Sequence, residues 1–210
     1  MSISQNPLLG PMHGSAANFT TYKLGGQNIV RVKAFHPKNA NTIRQQHHRA
    51  CFKLLVKVYR VFGGMTDLGF PNRPANQSTY NAFMAANLPN AIDTTSDVPK
   101  IDFRKLVVAS GTLPMVTVTG ATIDSTGVFV EYTCSTNFGD GGATDRVVAF
   151  LRTTTGELAV ARQVRGNAAN GAVLIPIQDL KVVELECVYL FTTSADEKRA
   201  SNSVFVEVEG

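Results

Sequence analysis

The sequence has no tryptophan and only three cysteines, Cys51, Cys134 and Cys187. An odd, scattered set of this kind is neither a disulfide framework nor a zinc-ligand spacing, so the three are expected to be reduced thiols. No run approaches the roughly 18 to 20 consecutive apolar residues that a membrane-spanning helix requires. Residues 1–25 also lack a compact apolar stretch behind basic residues, so neither membrane insertion nor secretion by an ordinary signal peptide is expected. The most telling lack is of negative charge, because no Asp or Glu precedes Asp67.

Before that point stand nine basic residues: Lys23, Arg31, Lys33, Lys38, Arg44, Arg49, Lys53, Lys57 and Arg60. Residues 1–66 therefore carry +9, while the remainder sets 11 Lys and Arg against 16 Asp and Glu, a balance of −5. The overall charge of +4 conceals this division. Such segregation points to a polyanionic partner or an acidic protein surface for the leading third. Hydrophobic content of 44% with 17% charged residues lies in the globular range. A length of 210 residues accommodates two small domains.

Along the chain, residues 1–18 are rich in Gly, Pro, Asn and Ser and are expected to form an extended arm. Segments 18–24 and 27–35 hold β-formers around Gly25-Gly26, which suits a two-residue hairpin turn. A helix is expected over 43–62, with Thr42 as cap and Gln45 reaching back. Its apolar positions, Ile43, His47, Ala50, Cys51, Leu54, Val58 and Val61, recur at three- and four-residue steps. At 100° per residue, Arg49, Lys53, Lys57 and Arg60 then fall together on the opposite side. Gly63-Gly64 is expected to end the helix, and Pro71 and Pro74 to prevent an immediate restart. A second helix opened by Ser78 or Gln77 runs to about Asn87, with Tyr80, Phe83, Met84 and Leu88 as its packing stripe.

Past a linker at 94–99 the pattern changes to short β-rich runs separated by turns. Strands are expected at 105–110, 116–123, 128–135, 146–153, 157–164, 172–177, 182–192 and 203–208. Val128, Val130, Tyr132 and Cys134 make one inward face; Val183, Leu185, Cys187, Tyr189 and Phe191 make another, leaving Glu184 and Glu186 to solvent. The expected fold is α+β. Residues 1–97 form a basic arm, hairpin and two-helix segment, and residues 98–210 an immunoglobulin/fibronectin-like sandwich.

No motif supports catalysis or a cofactor, and the protein is expected not to be an enzyme. His47-His48 lacks further ligands at metal spacing, and helical geometry puts the two on different faces. All four histidines, His13, His36, His47 and His48, precede every acid. The loop Gly139-Asp140-Gly141-Gly142 lacks both the Lys-Ser/Thr of a phosphate loop and the spaced acids of a calcium loop. Cys134 and Cys187 could face each other between the sheets, although free buried thiols fit a reducing compartment better. What remains is a basic partner-binding surface of Lys23, Arg31, Lys33, Arg49, Lys53, Lys57 and Arg60.

Specific residues carry a family likeness. They are Gly14-Ser15, Tyr22-Lys23, Gly25-Gly26, Val30-Arg31-Val32-Lys33, and Asn39 to Gln45 followed by Arg49 and Phe52. The series continues through Gly69-Phe70, Tyr80-Asn81-Ala82, Ile101-Asp102-Phe103, Lys105 to Val108, and Ser201-Asn202-Ser203-Val204-Phe205-Val206. These resemble a domain family of unknown function widespread in Bacteroidetes and their phages. Its members share the Gly-rich start, a hairpin ending in Val-Arg, and an Asn-x-x-Thr-x-x-Gln-x-x-x-Arg-x-x-Phe helix entry. Ala40 replaces a proline common there, and no Trp occupies the sandwich. The resemblance spans nearly the whole chain and implies an architecture and a phage-linked setting, not a mechanism.

The leading expectation is thus a virion or tail-like particle subunit, located in the virion or the cytoplasm, whose partners are copies of itself or other virion proteins. The alternative is a nucleoid-type protein that lays the basic residues along phosphates. A third is an adhesive or carbohydrate-binding sandwich working through loops 139–143 and 167–171.

Overall fold

The computed structural model describes residues 2–3, 14–16, 18–33, 39–94, 98–135, 142–177 and 184–208. The chain divides into two compact units, Met1–Ile43 and Arg44–Gly210.

In the first unit, β1 (Ser2–Ile3), β2 (Gly14–Ala16), β3 (Phe19–Leu24) and β4 (Gln27–Val32) form an antiparallel sheet in the order β1-β4-β3-β2. Two pieces of the expected arm thus pair into a sheet. Gly25 and Gly26, at φ +57° and +81°, supply the two left-handed residues that a tight turn between twisted strands needs. Register sets Tyr22 opposite Ile29 and Thr21 opposite Val30. The Lys33 N–H donates to Asn18 O at 2.8 Å and extends the ladder by one step. Thr21 and Ile29 are buried in this unit.

The second unit opens with α1 (Ile43–Gly69) and α2 (Thr79–Asn87), followed by the short strands β5 (Ile92–Asp93) and β6 (Lys100–Ile101). The helix α1 does not stop at Gly63-Gly64. Its buried stripe continues through Phe62, Met65, Thr66 and Gly69, and the Thr66 hydroxyl donates to Gly63 O at 2.8 Å. Each glycine costs about 1 kcal/mol relative to alanine, which burial of the following turn outweighs. The stripe is also rotated from the expected one. Cys51 and Val58 are buried, but Leu55 and Phe62 take the places given to Leu54 and Val61, and Ile43 is 84% exposed. Adjacent apolar pairs at 54–55 and 61–62 leave the face open by one residue, or 100°, and the fuller burial falls on the second of each pair.

The second helix follows its sequence signals. Ser78 Oγ accepts from the Asn81 N–H at 3.2 Å, capping the first turn. Tyr80 packs edge-on against Tyr59 and Phe52 of α1, with centroids 5.1 and 6.4 Å apart.

The expected strand at 105–110 is instead a 3-10 turn, Phe103–Lys105, followed by irregular chain. Side chains satisfy its backbone in place of a neighbouring strand. Asn87, fully buried, donates to Phe83 O and Val107 O at 2.9 and 2.8 Å, and its Oδ1 accepts from the Val107 N–H at 2.7 Å. Ser203 Oγ accepts from the Val108 N–H, and Gly69 O from the Ser110 N–H. A Cβ at Gly69 would lie 2.2 Å from Val108 O, so the absent side chain permits this approach.

Seven strands then form a sandwich. They are β7 (Thr117–Asp124), β8 (Gly127–Thr133), β9 (Arg146–Thr153), β10 (Leu158–Val164), β11 (Asn170–Pro176), β12 (Leu185–Thr193) and β13 (Val204–Phe205). One sheet has the order β11-β8-β7 and the other β10-β9-β12-β13, the three-against-four pairing of immunoglobulin/fibronectin-like folds. Val147, Ala149, Leu151, Val188 and Leu190 meet Val128, Val130, Tyr132, Val173 and Ile175 between the sheets. The alternate residues Val148, Phe150, Cys187, Tyr189 and Phe191 join a second cluster with Leu55, Phe62, Met65 and Phe83 of the helices. The order of elements is therefore α+β: a hairpin, two helices, then a β-rich part. The helices and the four-stranded sheet share one cluster.

A register shift between Leu185 and Cys187 puts Leu185 in the inter-sheet cluster and Cys187 on the helix-facing side, and two sequence readings change with it. Glu184 and Glu186 are half-buried rather than solvent-facing, and Glu186 is ion-paired with Arg152 of β9. Cys134 packs in the inter-sheet cluster and Cys187 in the helix-facing one, and both are free. Val182 and Val183 lie outside the described residues.

Candidate functional site

All seven residues of the expected basic surface are exposed. Lys23, Arg31 and Lys33 belong to the first unit. Because Arg31 pairs with Thr20, and Lys23 with Asn28, the register puts Lys23 and Arg31 on opposite faces of the hairpin. Counting charge along the sequence carries no register and misses this.

Arg49, Lys53, Lys57 and Arg60 lie in the second unit on one side of α1, diametrically across from Cys51, Leu55, Val58 and Phe62. The buried face anchors the helix and thereby fixes where the cations project. Successive ones four residues apart are separated by about 6 Å of helix rise. Phe52, 39% exposed, and the half-buried Val56 lie on the same flank, and together with His48 these residues line one open groove. Charge counting passes over the two apolar residues. Their spacing of three and four from Arg49, Lys53 and Arg60 is the signal that finds them. The Phe52 ring is held by its contact with Tyr80. This surface can bind a partner that offers both negative charge and apolar area.

His47 Nδ1 lies 3.6 Å from Cys51 Sγ, and His48 is exposed. His13, His36 and residues 139–141 of the glycine-rich loop lie outside the described residues. Residues 167–170 of the other loop are exposed. Among the described residues, no three of His, Cys, Asp and Glu gather as metal ligands. Among them, too, no helix is long and apolar enough to cross a membrane.

The remaining perturbed groups belong to the packing. Burial pushes the Cys187 thiol up to about 12, with Arg152 pulling the other way, so it stays protonated. Burial also raises the Tyr189 phenol, whose O–H donates to Phe103 O at 2.6 Å. Burial likewise raises Cys134 against the opposing pull of Arg165. Asp124, fully exposed, is held below the usual carboxylate range by the Thr126 hydroxyl and the N–H groups of Thr126 and Gly127.

No match is found among curated proteins. A family model, described as a family of unknown function (DUF6266), matches residues 13–207 and so takes in both the hairpin with its cations and the helix-backed sandwich. With hairpin, basic helix and sandwich under one continuous match, the chain belongs to the DUF6266 family.

Proposed function

We propose that the protein is a non-enzymatic structural subunit that docks into a larger assembly through its basic N-terminal segment. Charge segregation is the observation that carries this reading. Nine cations precede the first acid, and four of them stand exposed on one line of a helix whose other side is packed. A surface that is only solvated normally mixes signs. The assembly we infer is a phage virion or tail-like particle, in keeping with the likeness to a family spread through Bacteroidetes and their phages. Mass spectrometry of particles purified from the source organism is expected to detect the chain. Its absence from every particle fraction, together with an unchanged binding profile for Lys53→Glu/Lys57→Glu, overturns the reading.

Nucleic-acid binding is the second reading, favoured by the same line of cations. Phe52 and Val56 on that face, and Lys23 and Arg31 on opposite hairpin faces, fit a protein surface better than a row of phosphates. A salt titration separates the two. Six phosphate contacts would give log K a slope near about −5 against log salt, and a flat dependence excludes this mode.

A further inference from the structure

The outer face of the three-stranded sheet mirrors the N-terminal segment in charge. The strands β7, β8 and β11 hold no Lys or Arg, and their two charged residues, Asp124 and Glu131, are both exposed. The four-stranded sheet differs, pairing Arg152 with Glu186, and Arg146 and Arg162 with Glu197.

Register lays out that outer face. Thr122, Phe129 and Leu174 form one cross-strand row, and Phe129 and Leu174 are 38% and 41% exposed. The next row is Gly120, Glu131 and Ala172, in which the exposed Glu131 carboxylate lies over Gly120, its Oε2 3.5 Å from where a Cβ would stand. Two residues the other way along β8, Asp124 pairs with Gly127, its carboxylate fixed by Thr126. Acid, apolar pair and acid therefore follow one another over about 13 Å of strand. On α1, Lys53 to Arg60 spans about 10 Å with Phe52 and Val56 alongside, a spacing that long basic side chains match.

We infer that a second copy of this chain lays the basic face of its α1 across the outer face of the β7-β8-β11 sheet. This rests on the docking reading and names the partner. The two patches differ, so the contact is heterologous and propagates into a ring or filament.

Sedimentation velocity of the full chain over a concentration series at low and high salt tests it. The wild-type chain is expected to associate at low salt and to dissociate as salt rises. Lys53→Ser/Lys57→Ser and Glu131→Arg, each checked for folding by circular dichroism, should both weaken association by about tenfold or more. Each variant keeps one intact patch, so an equimolar mixture should form dimers that stop at two. A wild-type chain that is monomeric under all conditions overturns the inference. If the helix variant weakens association and Glu131→Arg does not, the second-copy contact falls while docking through α1 stands. If neither variant alters an observed association, both fall.

Discussion

The two sheets of the sandwich face the same interior, yet they differ in what covers their backs. The four-stranded sheet is backed by α1 and α2, so β9 and β12 are buried on both sides. Their sequences are accordingly near-continuous apolar runs, Val147 to Leu151 and Cys187 to Phe191. Charges at the ends of its central strands find partners within the chain. The three-stranded sheet has one covered face and alternates along β8, where Val128, Val130 and Tyr132 are buried and Phe129 and Glu131 exposed. Its charges have one sign. Covering a face thus goes with both the hydrophobic pattern and whether a charge meets an opposite charge within the chain.

Substitution of matched aromatics gives the largest test of this difference. Phe150, fully buried against Phe62 at 5.3 Å, should cost about 3–5 kcal/mol as Phe150→Ala, measured by urea unfolding. Phe129→Ala, on the open face, should change stability by no more than about 0.5 kcal/mol. Equal losses at the two sites would erase the distinction. Asn87→Ala should cost about 2–3 kcal/mol, because the Val107 N–H and C=O lose their partners together. Gly69→Ala, driven into Val108 O, should cost about 1–3 kcal/mol.

Much of this arrangement was legible where pattern and chemistry act locally. Gly25-Gly26, Ser78 and the strand at 146–153 all appear where sequence puts them. The line of Arg49, Lys53, Lys57 and Arg60 follows from helical periodicity alone. Tertiary pairing is what escaped. Glu184 and Glu186 read as solvent-facing because strict alternation contains neither the register shift between Leu185 and Cys187 nor the Arg152 partner on the next strand. Residues 105–110 have strand-like composition, but their hydrogen bonds go to Asn87 and Ser203, 20 and 95 residues from the groups they satisfy. The rotation of the α1 stripe was hidden by apolar pairs, and the opposed faces of Lys23 and Arg31 by the absence of register from any charge count.

The covered face also has a titration signature. Unfolded chain releases the Cys187 proton near the ordinary thiol value of 9.0, whereas burial delays release in the folded chain to about 12. Between those values the folded state holds a proton that the unfolded state has lost. Stability from this group is therefore full below pH 9 and falls as pH rises toward 12, by about 1 kcal/mol at pH 9.5. Urea midpoints at pH 7.5 and 9.5 should show that decline in the wild-type chain and a smaller one in Cys187→Ala. An identical decline in both would mean the thiol is not sealed under the helices.

The smallest test carries the comparison onto α1, which has its own covered and open sides. Gly64 is exposed, and a Cβ there would meet nothing within 4 Å, unlike the one at Gly69 five residues on. Both lie in the same helix with the same intrinsic preference for alanine, so only their surroundings separate them. Gly64→Ala should stabilise the protein by about 0.5–1 kcal/mol, read as a raised urea midpoint at unchanged slope. A loss at Gly64 would mean that the helix is held open or bent at the glycine pair, and that its last turn is not carried by the packing of Phe62, Met65 and Thr66.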